Sequence, residues 1–207
     1  MWYPIFIAAA VSYLLGNVNG AVVMSQLKHD DVRSHGSGNA GLTNYIRNFG
    51  AASALYVIFI DMGKAVLACL VSELLLKPYG MELNGRAIGG LFVILGHNFP
   101  ILLGFRGGKG ILSGGTVALM LDWKIGLFVL GIFIVAYLST QYVSLGSVLS
   151  AGSFGFIYCF FHRDQVFPVV VAFFLSALVV WMHRGNIQRL LKGEERKTNL
   201  FGKGNQK

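Results

Sequence analysis

Charge is what this chain has least of. Asp, Glu, Lys and Arg make up 13% of its 207 residues, against 55% hydrophobic, where soluble domains carry about 25% charge. That scarcity excludes a disordered chain and a soluble multidomain enzyme, and it fits repeated crossing of a bilayer. Cysteine is also sparse. Cys69 and Cys159 stand in separate apolar runs with no metal or redox spacing, which excludes a disulfide scaffold. Acid is scarcer than base, nine against seventeen, for a net charge of +8. Such an excess can serve nucleic acid, anionic lipid or an anionic substrate. Met1-Trp2-Tyr3-Pro4 lacks the positive n-region of a cleaved signal peptide, so the first apolar run reads as a retained helix.

Apolar runs cover Trp2–Leu27, Ala51–Leu76, Ala87–Phe105, Val143–Phe161 and Val166–Met182. A further stretch, Ile111–Leu138, is interrupted by Asp122-Trp123-Lys124. Charges at the centre of a span cost about 2.5–3.5 kcal/mol each, which predicts two short helices turning there rather than one long one. Seven spans put twelve of the seventeen basic residues on one side. The positive-inside rule makes that side cytoplasmic, with the N-terminus out and the C-terminus in. The expected fold is an all-α polytopic membrane protein in a single domain over residues 1–197, followed by a disordered tail over 198–207.

The glycine-rich loops then share the cytoplasmic face. The first reads His35-Gly36-Ser37-Gly38-Asn39-Ala40-Gly41-Leu42-Thr43-Asn44-Tyr45-Ile46-Arg47. Its glycines allow positive φ and an anion-binding nest of N–H groups. Ser37, Asn39, Thr43 and Asn44 add polar side chains, and Arg47 can hold a phosphate bidentately. The second runs from Gly96-His97-Asn98 to Arg106-Gly107-Gly108-Lys109-Gly110. It is not a Walker A loop, because Leu103 stands where glycine is needed and Gly110 where Ser or Thr is needed. It does present two cations and a flexible backbone at a helix start, which suits a phosphate. The third begins at His183, and a helix there aligns His183, Asn186 and Arg189 on one face. The competing reading of each loop is structural: a polar turn, bases that mark topology, and a headgroup-facing tail. Within the spans, Asp61 and Lys64 can pair at i, i+3, and Gly16 and Gly20 suggest a close-packing face.

No histidine is followed five residues on by aspartate, so the His-x-x-x-x-Asp acyltransferase machinery is missing. The loops hold no carboxylate cluster adequate for two metals, and no metal or cofactor is expected. Three anion-suited loops on one membrane face predict a reaction between a soluble phosphorylated compound and a lipid-borne one. A secondary transporter is the rival, but it would show internal repeats and a midplane site. A lipid-binding scaffold would not need three anion sites.

The runs GSGNAGLTNYIR, LGHNFPILLGFRGGKG and HRGNIQRLLKGEERK, in this order, resemble the three motifs of the bacterial acyl-phosphate:glycerol-3-phosphate acyltransferase family. The similarity extends to about Lys197. It implies a seven-span inner-membrane enzyme that moves a fatty acyl group from acyl phosphate to the 1-hydroxyl of glycerol 3-phosphate, giving lysophosphatidic acid and phosphate. The implied partners are these two substrates and membrane lipid, with no nucleic acid and no obligate protein partner. By position, Ser37 and Arg47 match the family's essential serine and arginine, with Asn39 and Asn44 supporting. Gly107, Gly108 and Lys109 match its donor-binding loop, His183 and Asn186 its active-site pair, Ser144 a serine near the substrates, and Glu195 a structural acid. Ser113-Gly114-Gly115 departs from the pattern, which has Thr or Ala there. Direct attack of the hydroxyl on the acyl carbonyl is expected, with His183 or the donor's own phosphate as base.

Overall fold

The computed structural model of the chain describes residues 2–198. Within them it forms ten α-helices and no strand, the all-helical architecture expected. The helices are α1 (Tyr3–Asn17), α2 (Gly20–Gln26), α3 (Leu42–Phe49), α4 (Ala54–Leu76), α5 (Glu82–Asn98), α6 (Ile111–Leu121), α7 (Trp123–Thr140), α8 (Val143–Phe161), α9 (Val166–Met182) and α10 (Arg184–Leu191). The helices α4, α5, α7 and α8 are each long and apolar enough to cross a membrane. The bent pairs α1–α2 (42°) and α9–α10 (57°) bring the number to six. The eleven-residue α6 reaches only about 16 Å, short of the roughly 30 Å hydrocarbon core.

The interrupted stretch does break where its charges predicted. Asp122 ends α6 and caps α7, its carboxylate accepting from the N–H groups of Lys124 (2.8 Å) and Ile125 (3.3 Å). His162 adds a bond to the same carboxylate at 2.8 Å. The third span differs from its expected bounds: α5 starts at Glu82 and stops at Asn98, because Pro100 lacks an N–H and biases the residue before it against helix. The remaining residues to Phe105 turn back as a single 3₁₀ turn.

The bundle has an apolar core but also carries large apolar side chains on its outside and buries polar ones within. Phe6, Phe59, Phe128 and Phe160 are exposed on its outside, while Ser12, Asn17, Ser72 and Asn98 are buried. Close helix approach is what buries them. A Cβ on Gly16 would lie 2.4 Å from the Val93 carbonyl, and one on Gly96 2.1 Å from the Tyr13 carbonyl, so α1 and α5 cross backbone to backbone. Gly20 meets Val57 in the same way, as the GxxxG spacing suggested. Of the expected disordered tail, 199–207 lies outside the described residues. Thr198 is buried, and its N–H donates to the Gln141 carbonyl at 3.0 Å.

Candidate active site

The segments between α2 and α4, between α5 and α6, at the α7–α8 turn and after α9 converge at one end of the bundle. They enclose the mouth of a cavity of about 1240 Å³. Its mouth is polar. Its depth is apolar, between α6, α7 and α8, where Leu119, Val129, Phe133, Ala151 and Phe154 line it.

In the first segment Gly36 (φ +57°) and Gly38 (φ +68°) adopt the left-handed backbone that the glycine reading required. Ser37 and Asn39 line the cavity. Among the described residues no side chain hydrogen-bonds the Ser37 hydroxyl. Asn44 lines the cavity too and also braces the loop from within. It is buried, its Oδ1 accepts from the Ser37 N–H (3.1 Å), and its Nδ2 donates to the carbonyls of Val32, His35 and Asn39 at 3.0–3.1 Å. One amide therefore shapes the whole loop. Arg47, on the last turn of α3, donates to the Arg196 carbonyl (3.2 Å) and to the Thr198 hydroxyl. The C-terminal segment thereby closes over the first loop.

In the second segment the glycines approach protein rather than empty space. A Cβ on Gly107 would stand 2.0 Å from the His97 carbonyl, and one on Gly108 2.2 Å from His97 Nε2. Gly108 does not itself line the cavity; Gly107 and Lys109 do. Lys109 donates to Asn186 Oδ1. Burial pushes its ammonium down to about 8, the nearby Arg189 and Arg47 charges adding to the effect and Glu195 opposing it.

The third segment is organised by Glu195. Its Oε1 accepts from Ser144 (2.9 Å) and Asn186 (2.8 Å), and its Oε2 accepts from Arg189 (2.7 Å). Burial alone would raise this carboxyl, but the bonds from Asn186, Ser144 and Arg189 prevail and hold it below the usual carboxylate range. The hydroxyl of Ser144 is thus engaged by Glu195. His183 caps α10, and its Nδ1 donates to the Val179 carbonyl at 2.8 Å. A neutral ring bonded this way keeps its proton on Nδ1 and its lone pair on Nε2.

All the candidate site residues read from the sequence except Gly108 therefore line one cavity, and Gly108 buttresses it. Sequence reasoning placed His97 in the second loop without a role and read Asn19 only as facing the bundle interior. It also read Arg33 only as a topological charge, whereas its guanidinium is paired with Asp31 and donates to the Leu103 carbonyl at 3.1 Å, tying the first two loops. The neighbouring Pro100 and the interior position of Asn19 were the available signals.

Fold and site together define a membrane-embedded protein with a cationic, hydrogen-bonding mouth above an apolar chamber. Over residues 6–193 the chain matches the family model described as glycerol-3-phosphate acyltransferase. It is 40% identical over 191 residues to the glycerol-3-phosphate acyltransferase of Prochlorococcus marinus (strain MIT 9215), covering 91% of this chain and 94% of that one. It is 39% identical over 197 residues to that of Clostridioides difficile (strain 630), covering 94% and 96%. Among solved structures it resembles the glycerol 3-phosphate form of PlsY (YgiH), an integral membrane glycerol 3-phosphate acyltransferase, with a TM-score of 0.86. That match has 32% identity and covers 96% of this chain and 99% of that one. The lysophosphatidic acid form gives a TM-score of 0.83 at 31% identity, covering 95% and 96%. The chain belongs to the glycerol-3-phosphate acyltransferase family and is an acyltransferase.

Proposed function

We propose that this protein transfers a fatty acyl group from acyl phosphate to the 1-hydroxyl of glycerol 3-phosphate, releasing lysophosphatidic acid and inorganic phosphate. The observation that carries the reading is the two-part cavity: Arg47 and Lys109 at a polar mouth, continuous with a chamber lined by Leu119, Val129 and Phe133. An acyl phosphate needs both environments at once, cations for its head and an apolar slot for its chain. PlsY, the structural relative, was crystallised in forms with glycerol 3-phosphate and with lysophosphatidic acid, which supports the acceptor and product. Twelve of seventeen basic residues at the loop end in a seven-span reading support an inner-membrane protein whose site faces the cytoplasm.

Phosphate is a competent leaving group, so a single displacement suffices. The glycerol 3-phosphate hydroxyl oxygen bonds to the acyl carbon, the bond from that carbon to the phosphate oxygen breaks, and the hydroxyl proton leaves on the departing phosphate. Arg47 and Lys109 balance the two phosphates and hold the reactants. His183 Nε2 accepts from the attacking hydroxyl and aligns it, and Asn186 holds the Lys109 ammonium in place. Ser37 binds rather than attacks: among the described residues no side chain hydrogen-bonds its hydroxyl. The deciding experiment mixes purified protein with acyl phosphate and labelled glycerol 3-phosphate and follows lysophosphatidic acid and phosphate together. No product, or equal activity with acyl-CoA, overturns the reading. An acyl-Ser37 adduct trapped in a single turnover overturns the direct mechanism.

A further inference from the structure

Among the described residues the most buried acid and base of the helices lie below the mouth. Asp61 and Lys64 on α4 are 2% and 6% exposed, and a bare ion pair there would be a costly way to join helices. An ammonium has three hydrogens, and three partners stand at bonding distance from Lys64 Nζ: Asp61 Oδ1 at 2.8 Å, the Val18 carbonyl at 2.7 Å and His97 Nδ1 at 2.8 Å. The Gly16 carbonyl is farther, at 3.4 Å. Asp61 Oδ1 also accepts from the Gly20 N–H at 3.1 Å. The cation therefore sits at the carboxyl end of α1 and the anion at the amino end of α2, as the two helix dipoles favour.

Two arms lead from this pair to the mouth. Asn19, in the break between α1 and α2, donates to the Ala40 carbonyl of the first loop at 3.0 Å. His97 presents Nε2 to Gly108 of the second loop. A Cβ on Gly108 would lie 2.2 Å from that nitrogen and 2.6 Å from the Ala40 carbonyl. Gly108 is thus the point at which both arms and both loops meet.

We propose that Asp61, Lys64 and His97 form a buried positioning network that sets the spacing between the serine loop and the lysine loop, and hence the alignment of the two reactants. The proposal rests on the two-substrate reading above. Because an ammonium only donates, His97 Nδ1 must accept, which leaves the ring proton on Nε2. The ring then has one tautomer and one orientation, and the Gly107–Gly110 backbone that carries Lys109 packs against a fixed wall. These three are positioning residues, since each acts through the loops.

The test is the double variant Asp61→Asn/Lys64→Met, which removes both charges and leaves neither buried alone. With acyl phosphate and glycerol 3-phosphate, kcat falls about 100-fold while each KM moves less than about threefold, since each loop keeps its own anion but the reactants are misaligned. Nitrogen-15 spectra of histidine-labelled protein show His97 as the Nε2–H tautomer in the parent and as a tautomer mixture in the variant. A kcat within about threefold of the parent, or a His97 protonated on Nδ1 in the parent, overturns the network. If the double variant fails to fold, His97→Asn keeps the charges paired and carries the same kinetic test. A parent protein that makes no product defeats the assigned reaction instead, and the tautomer measurement still decides the network.

Discussion

Lys109 offers a quantitative test of how the mouth binds phosphate. Burial and the neighbouring arginines push its ammonium down to about 8, whereas an ordinary lysine titrates near 10.4. Raising the pH therefore removes this charge within the working range of the protein. About nine-tenths of Lys109 is charged at pH 7 and about one-tenth at pH 9. Binding that needs the ammonium weakens about tenfold over that interval, about 1.4 kcal/mol. The substrate phosphate, with its second pKa near 6, is already dianionic and adds no break of its own there. The assay is kcat/KM for acyl phosphate from pH 6.5 to 9.5, which reports groups of the free enzyme. It should be level up to pH 8 and then fall with unit slope. In Lys109→Arg the guanidinium stays charged throughout, so the break disappears even though the overall rate is lower. A break near 8 that survives in Lys109→Arg, or none in the parent, refutes the assignment of that titration to Lys109.

Glu195→Ala leaves Ser144, Asn186 and Arg189 without their shared acceptor. It should cost about 3 kcal/mol of stability, read as a lowered unfolding midpoint in detergent, and abolish turnover. Because the Glu195 carboxyl is held low, its stabilisation is present above the ordinary carboxylate range and is lost as pH falls through its lowered value. Asn44→Asp should be more damaging than Asn44→Ala: alanine leaves three carbonyls and the Ser37 N–H without their partner, whereas a carboxylate keeps the acceptor but faces all three carbonyls with like charge. Comparing melting temperatures and the KM for glycerol 3-phosphate in the two variants checks the order. Gly108→Ala should lower activity at least about 100-fold by displacing the His97 ring. Gly131→Ala, with open space around its Cβ, should leave activity unchanged. His183→Gln keeps an acceptor and should retain more kcat than His183→Ala, with neither variant changing the shape of the pH–rate profile. A limb lost from that profile in both would make His183 the base.

What could be read from the chain alone divides by the range of the interaction. The break at Asp122 was legible because one residue carries both reasons for it, a charge too costly inside a span and a carboxylate suited to capping the next helix. The positive φ of Gly36 and Gly38 was legible because backbone freedom is a local property. The Asp61–Lys64 pair was visible at i, i+3, but its meaning was not. Its third member is 33 positions away on another helix, and no periodicity says which faces of α4 and α5 cross. Asn44 has a loop-bracing role that only the fold reveals. Its residue type correctly announced hydrogen bonding, but a tight loop has its own unpaired carbonyls, and a buried amide meets those first. Gly107 and Gly108 likewise leave room for His97, a contact the sequence did not announce. Under the proposed reaction Arg47 and Lys109 carry the charges that meet the phosphates, with Ser37 and His183 as neutral contacts. The polar residues around them serve chiefly to fix where those charges stand, and composition cannot distinguish the two roles because both require the same side chains.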